Sequence, residues 1–270
     1  MENIKRIGLL AGGGELPVIL ADKARIKGAK VIAFAAEDIA SRELENHVDK
    51  IYWIKLTDTG KLPFLFLTNR VRNLVMVGKI EKSIFFKNDF SESKEISTLL
   101  KDTKNRADDT MLRKVSKLAD KFGVRFIDPM LFLSDILPGK GTFTKREPTA
   151  HEWQDIEFGI KIARSLGKLD IGQTVVVQNK AILAVEAIEG TDKAIKRAGG
   201  FSGGGAVVVK TLKPGQDTRF DIPAVGPETI SSLIESKASV LAIEAGKTFF
   251  IKQDECVKKA DQCGISIVAV

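Results

Sequence analysis

Short apolar runs alternate along the first half of the chain with stretches whose apolar positions recur every three to four residues. That is the pattern of strands interleaved with helices. Ile7–Ala11, Val31–Ala35, Ile51–Ile54, Leu74–Val77 and Val124–Ile127 read as strands. After the first, Leu16, Val18, Ile19, Ala24 and Ile26 mark a helix that Gly28 stops. Met111, Leu112, Val115, Leu118, Ala119 and Phe122 mark another between Arg106 and Phe122, with Asp108 and Asp109 suited to its positive end. Such alternation calls for a parallel sheet covered on both faces, so residues 1–137 predict a Rossmann-like domain.

Pro138–Pro148 breaks the rhythm with Pro, Gly and basic residues and reads as a linker or mobile loop, with the character of a hinge. A helix follows from a capping box, Thr149 with Glu152, and carries Ile156, Ile160, Ala163 and Leu166 on one stripe. Beyond it, Thr174–Gln178 and Ala181–Ala187 flank Asn179-Lys180 as a hairpin, although the turn lacks the favoured Asn-Gly. Ala206–Lys210, Val240–Glu244 and Lys247–Ile251 read as strands, with helices near Thr191–Ala198, Glu228–Lys237 and Asp254–Gln262. Residues 149–270 therefore predict an α+β domain with a mixed sheet. The class is α/β overall, with a ligand expected in the cleft between the domains.

Composition narrows the chemistry. Lys and Arg number 42 against 35 Asp and Glu, a net charge of +7 that favours anionic partners. No run reaches the ~18 apolar residues of a membrane span. The N-terminus is a poor signal peptide, so a cytoplasmic location is expected. With His47 and His151 the only histidines, and Cys256 and Cys263 the only cysteines, a zinc site is disfavoured. Any metal should be a hard cation on oxygen ligands. The two cysteines read as packing residues.

Several segments could carry function. Gly12-Gly13-Gly14 stands where a strand hands over to a helix, a place where backbone N–H groups can meet phosphate. Pro17 replaces the third Gly of the dinucleotide fingerprint, although Glu37 lies near the position of a ribose-binding acid. A tight turn without ligand is the plain alternative. Lys79 follows the Leu74–Gly78 strand at a carboxyl end, where open sheets bind ligands, or is simply a solvated lysine. Gly200-Phe201-Ser202-Gly203-Gly204 matches G-x-S-x-G, but it has a helix before it, a strand after it and no later His, which argues against a hydrolase elbow. Gly199–Gly205 reads instead as a flexible loop or a close backbone approach to a ligand. Thr191, before Asp192, reads as a helix N-cap with amides that could meet an anion.

Lys210–Pro223 is the richest stretch. If extended, it puts Asp217, Arg219 and Asp221 on one face, with Lys210, Lys213 and Gln216 upstream. Carboxylate can hold Mg²⁺ or activate water, and the basic groups can neutralise phosphate. Asp217 and Asp221 would stand ~13 Å apart and could share an ion only if the chain curls. A surface strand with an Asp–Arg ladder explains the same residues without function.

Five segments, Ile7–Pro17, Arg146–Ile156, Leu169–Gln173, Ala184–Asp192 and Lys213–Pro223, resemble in order those of the LpxI family, UDP-2,3-diacylglucosamine pyrophosphatases of lipid A biosynthesis. The resemblance implies a Rossmann-like domain plus a distinct C-terminal domain. It implies hydrolysis of the substrate's pyrophosphate to UMP and 2,3-diacylglucosamine 1-phosphate (lipid X), with Mg²⁺ or another divalent cation such as Mn²⁺. It maps the family's essential aspartate onto Asp221, as metal ligand or water activator; Asp217 is a second metal-ligand candidate on residue chemistry alone. Gly12, Gly13, Gly14, Lys79, Thr191, Asp192, Lys210, Lys213, Gln216 and Arg219 become substrate-binding candidates. The partners implied are a lipid-nucleotide substrate and transient contact with the inner-membrane surface at its cytoplasmic face, with a homodimer permitted. Nucleic acid is not expected, because no basic stripe is interleaved with exposed aromatics. A nicotinamide-dependent oxidoreductase and a non-catalytic nucleotide- or lipid-binding protein are the alternatives.

Overall fold

The computed structural model describes residues 4–80, 116 and 119–270. Packing divides the chain into two compact units, Met1–Ser134 with Asp217–Asp221, and Asp135–Gln216 with Ile222–Val270. The fold is α/β, with a five-stranded parallel sheet in the first unit and a six-stranded mixed sheet in the second.

In the first unit, β1 (Arg6–Ala11), α1 (Leu16–Ile26), β2 (Lys30–Ala36), β3 (Lys50–Ile54), α2 (Leu62–Thr68), β4 (Asn73–Val77) and β5 (Arg125–Phe126) follow in order. The strands lie as β3-β2-β1-β4-β5, all parallel. Every strand read from the apolar runs is present. The predicted helix Arg106–Phe122 lies largely outside the described residues. Ile32, Phe34, Phe66, Val71, Leu74, Val124 and Phe126 form one core, with Phe34 stacked on Tyr52 and edge-on to Phe66. Phe220, distant in sequence, belongs to the same core.

The second unit holds β6 (Gly141–Thr142), α3 (Ala150–Lys168), β7 (Thr174–Gln178), β8 (Ala181–Val185), α4 (Thr191–Ser202), β9 (Val207–Lys210), β10 (Ala224–Val225), α5 (Pro227–Glu235), β11 (Val240–Ile243), β12 (Phe249–Phe250), α6 (Gln253–Gln262) and β13 (Ser266–Ala269). The large sheet runs β6-β13-β11-β9-β7-β8, and its parallel centre is β13, β11 and β9. Period-2 alternation divides each central strand between two cores. Val175, Val177, Val207, Val209, Val240, Ala242 and Val268 face one core with Ile156 and Ala163 of α3. Val176, Val208, Leu241, Ile243 and Ile267 face the other with Ile195, Ile230 and Cys256. Burial on both faces is why these strands read as unbroken apolar runs.

The capping box at Thr149 and Glu152 is present in both directions. The 179–180 turn forms without Gly because Asn179 and Lys180 take φ of 53° and 61° while their amides donate to the buried Asp155 carboxylate at 2.8 and 2.6 Å. Residues 138–148 are tied to the second unit: Gly141–Thr142 pairs with β13, Lys145 N donates to Asp261, and Arg146 donates to Gly264 O and Glu152.

Four expectations differ from the structure. Cys256 is buried as a packing residue, but Cys263 is exposed. Gly199–Gly205 is not a loop throughout. Helix α4 continues through Gly199 and Gly200 to Ser202 and ends at Gly203, φ +64°. Gly199 is required because a Cβ there would stand 2.7 Å from Ser236 on the chain leaving α5. Thr191 is the first helical residue rather than the N-cap, a place taken by Gly190 at φ +84°. Finally, residues 211–223 do not form a strand; the chain turns twice, at Lys213–Gln216 and at Asp217–Asp221. The C-terminal strand β13 has no counterpart in the elements read from the sequence.

Candidate functional site

At the first sheet's carboxyl edge, the glycine turn and Lys79 meet. Gly13 and Lys79 exchange backbone hydrogen bonds at 2.9 Å, and Gly12 N donates to Val77 O at 2.9 Å. A Cβ on Gly12 would stand 2.8 Å from the Gly78 carbonyl group, and one on Gly78 (φ +100°) 2.7 Å from Gly12. Two of the three amides are thus engaged by the end of β4, and the glycines permit this close approach. Gly14 takes φ +85°, and a Cβ built there would have nothing within 4 Å. In the strand order this is the switch point, β1 and β4 being neighbours with connections leaving in opposite directions.

The Asp217–Asp221 turn sits at the next strand along. Phe220 plugs it into the core, edge-on to Phe126 of β5 at 5.1 Å. Thr218 Oγ1 donates to Asp128 Oδ2 at 2.8 Å, just beyond β5. Within the turn the Asp217 carboxylate receives Arg219 Nε at 3.0 Å and Nη2 at 2.6 Å, along with the Arg219 amide at 3.1 Å. The hydrogen bond to Asp217 raises the Arg219 pKa above its ordinary value, with Asp120 and Asp128 adding to the effect and burial opposing it. The guanidinium remains a fixed cation, 40% of its side chain exposed. Because strands β1, β4 and β5 are adjacent, the glycine turn, Lys79 and this turn line one edge of one sheet.

The other predicted residues gather at the carboxyl end of β9 in the second unit. Lys210, 6% exposed, donates from Nζ to Thr191 Oγ1 at 3.0 Å and to Ala224 O at 2.8 Å. Thr191 Oγ1 donates in turn to Glu186 Oε1 at 3.0 Å, and Thr174 Oγ1 lies 3.3 Å from Thr191 Oγ1. Asp192 follows in the first turn of α4. Lys213 Nζ is paired with Asp170 Oδ1 at 2.7 Å, and its amide donates to Gln216 Oε1 at 3.2 Å.

Sequence reasoning missed Glu186, Thr174, Asp170 and Glu244. The buried Glu244 directly follows β11 and accepts from Leu212 N, Arg164 and Lys247, fixing the 211–216 segment. Burial works to raise its pKa, but Lys247, the Leu212 amide and Arg164 outweigh it and the pKa is lowered. The signal available was position: a carboxylate directly after an apolar strand of a parallel sheet lies at the functional end.

The LpxI N-terminal domain family model matches residues 6–136, and the LpxI C-terminal domain model matches residues 139–268. The chain belongs to the LpxI family. A relative, UDP-2,3-diacylglucosamine pyrophosphatase LpxI of Caulobacter vibrioides, is 26% identical over 277 residues, spanning 99% of this chain and 98% of that one. Among solved structures, an ADP-bound biotin carboxylase domain of a thermophilic 2-oxoglutarate carboxylase matches 64% of this chain and 34% of its own at 13% identity and TM-score 0.28. Glycinamide-RNase-transformylase T from Mycobacterium tuberculosis matches 67% and 44% at 16% identity and TM-score 0.24. This LpxI-family chain spans a third to under half the length of those structures, and likeness at these scores carries no argument. Among the described residues no helix is long and apolar enough to cross a membrane.

Proposed function

We propose that this LpxI-family enzyme hydrolyses the pyrophosphate bond of UDP-2,3-diacylglucosamine, giving UMP and 2,3-diacylglucosamine 1-phosphate, with Asp221 central to the chemistry. The observation that carries the reading is the family match over residues 6–136 and 139–268, joined to one turn that carries both Asp221 and the Arg219 cation held by Asp217.

Water attacks one phosphorus of the pyrophosphate, the bridging P–O bond breaks, and the leaving phosphate takes up the electron pair. The obstacle is charge, since anionic oxygens repel the nucleophile and the transition state spreads further charge over them. Arg219 supports such chemistry as a pre-oriented donor needing no reorganisation. Lys210 offers a buried cation hydrogen-bonded to two neutral oxygens, Thr191 Oγ1 and Ala224 O, and is suited to a phosphate group.

The family implies a divalent cation, and the donors can be tested against it. Both Asp217 oxygens are engaged by Arg219, and among the described residues no cluster of three carboxylate, His or Cys groups is arranged for a metal. A site of one carboxylate, Asp221, completed by substrate phosphate oxygens and water fits the habits of Mg²⁺. Such an ion would draw charge from the pyrophosphate. Asp217 is better employed holding Arg219.

The test is UMP release by wild type, Asp221→Ala and Asp221→Asn across a Mg²⁺ titration and with EDTA. Activity lost in both variants, with unchanged melting, supports the reading. Asp221→Asn that recovers at high Mg²⁺ identifies a metal ligand; one that stays inactive identifies the acceptor of the water's proton. Robust Asp221→Ala turnover overturns the assignment.

A further inference from the structure

Helix α2 presents apolar side chains outward in a way the sheet-covering role of its other residues does not explain. Phe66 turns inward and is buried, with Leu62 and Leu65 packed against the same core. Phe64 and Leu67, three residues apart on the opposite face, are 68% and 58% exposed. A Phe and a Leu side by side on one turn form a patch, unlike the scattered single apolar residues normal on a surface.

The surroundings of the patch are basic. Asn69, at the helix's carboxyl end, draws three neighbours together: Arg6 donates to its carbonyl at 3.0 Å, Lys50 Nζ lies 3.4 Å from its Oδ1, and Tyr52 OH donates to the same oxygen at 3.1 Å. Arg70 follows with a left-handed backbone, φ +53°, and is exposed, as is Arg72. At the other end stand exposed Lys55 and Lys61, the latter paired with Asp58. Tyr52, half-buried beneath the Lys50 ammonium at 4.8 Å, adds the amphipathic ring that favours a water–lipid boundary.

We propose that α2 is a membrane-docking element, Phe64 and Leu67 entering the headgroup region of an anionic bilayer while Lys50, Lys61, Arg70 and Arg72 meet lipid phosphates. The charge decides for this occupant. A collar of five exposed basic residues, with Asp58 paired to Lys61 and Asp49 accepting from the Val31 amide, keeps a net positive charge that complements an anionic lipid surface, whereas an apolar patch for a second copy of this chain would set the like charges against one another. The proposal does not depend on the reaction, because binding is measured without turnover.

The full chain is mixed with vesicles of phosphatidylcholine alone or with added phosphatidylglycerol and sedimented. Wild type should pellet with the anionic vesicles and be released by salt. Phe64→Ser/Leu67→Ser should lose at least about ten-fold in partitioning, and Lys50→Gln/Arg70→Gln roughly 20-fold, each basic group near an anionic surface being worth about five-fold. Both variants should melt with the wild type, since the substituted side chains are exposed. Wild type that ignores phosphatidylglycerol, or serine variants that pellet like wild type, overturns the proposal. So does a halving of the solution mass in the serine variant, which would make the face an interface between copies.

Discussion

Arg219 holds both carboxylate oxygens of Asp217 while Asp217, in turn, accepts the Arg219 amide, so two residues lock one turn and one guanidinium orientation. An exposed ion pair is worth little to stability. On the proposed reading, this pair fixes the angle of a cation carried by the same turn as Asp221. Asp217→Asn should therefore leave melting within a degree or two while raising KM for UDP-2,3-diacylglucosamine about ten-fold. Steady-state UMP release separates this from Asp221→Ala, in which kcat falls. A kcat collapse in Asp217→Asn with normal KM would return Asp217 to the role of metal ligand.

Phe220 has few local reasons to be ordered, yet it is 8% exposed and set edge-on against Phe126. Phe220→Ala should destabilise the protein by about 3 kcal/mol, the usual cost of emptying an aromatic site. It should also slacken the turn that carries Arg219 and Asp221. Denaturant unfolding measures the first effect. The second appears as lost activity under conditions where the variant is still folded, and Phe220→Leu should restore most of both.

How far this could be read beforehand differs between the two halves of the site. The glycine turn, Lys79 and the flanking strands are legible because their determinants are local: apolar runs end in Gly, and Gly12 sits where β4 approaches. The Asp217–Asp221 turn is not, since alternating polar and apolar residues there imitate a strand. What curls it is Phe220 finding a core built from residues around 32–75 and 119–126, together with Thr218 bonding Asp128. Long-range packing overrides local pattern in that segment. The same holds for Gly199 and Gly200, whose composition suggests a loop while the approach of Ser236 explains the first of them within a helix.

Those two glycines give opposed expectations from the same substitution. Gly200 has nothing within 4 Å of where a Cβ would stand, so Gly200→Ala should stabilise by up to about 1 kcal/mol through helix propensity. At Gly199 the same gain is offset by a clash with Ser236 at 2.7 Å, and Gly199→Ala should destabilise by about 1–2 kcal/mol. Thermal melts of the two single variants suffice. Equal shifts of the same sign would contradict the close approach of α4 to Ser236.

The acid limb of the stability curve should depend on Glu152. Burial works to raise its pKa, but hydrogen bonds from Arg146, the Thr149 amide and Ser239 prevail and hold it at about 2, against 4.5 ordinarily. A carboxyl depressed in the folded state stabilises above its unfolded pKa and loses that contribution as pH falls through the folded one. About 3 kcal/mol should thus drain away between pH 4.5 and pH 2. Urea titrations across this range should show the slope in wild type and a flatter limb in Glu152→Gln, which would start less stable at pH 7.

The excursion of Asp217–Asp221 into the core of the first unit bears on how this protein can be taken apart. Family boundaries fall between residues 136 and 139, as though one cut would free two halves. A fragment ending there would keep all five parallel strands but leave a socket beside Phe126 whose occupant is encoded some eighty residues downstream. Such a fragment should be sticky and poorly cooperative in melting. A short synthetic peptide spanning 216–222, added in trans, should be drawn into the vacancy and sharpen its transition.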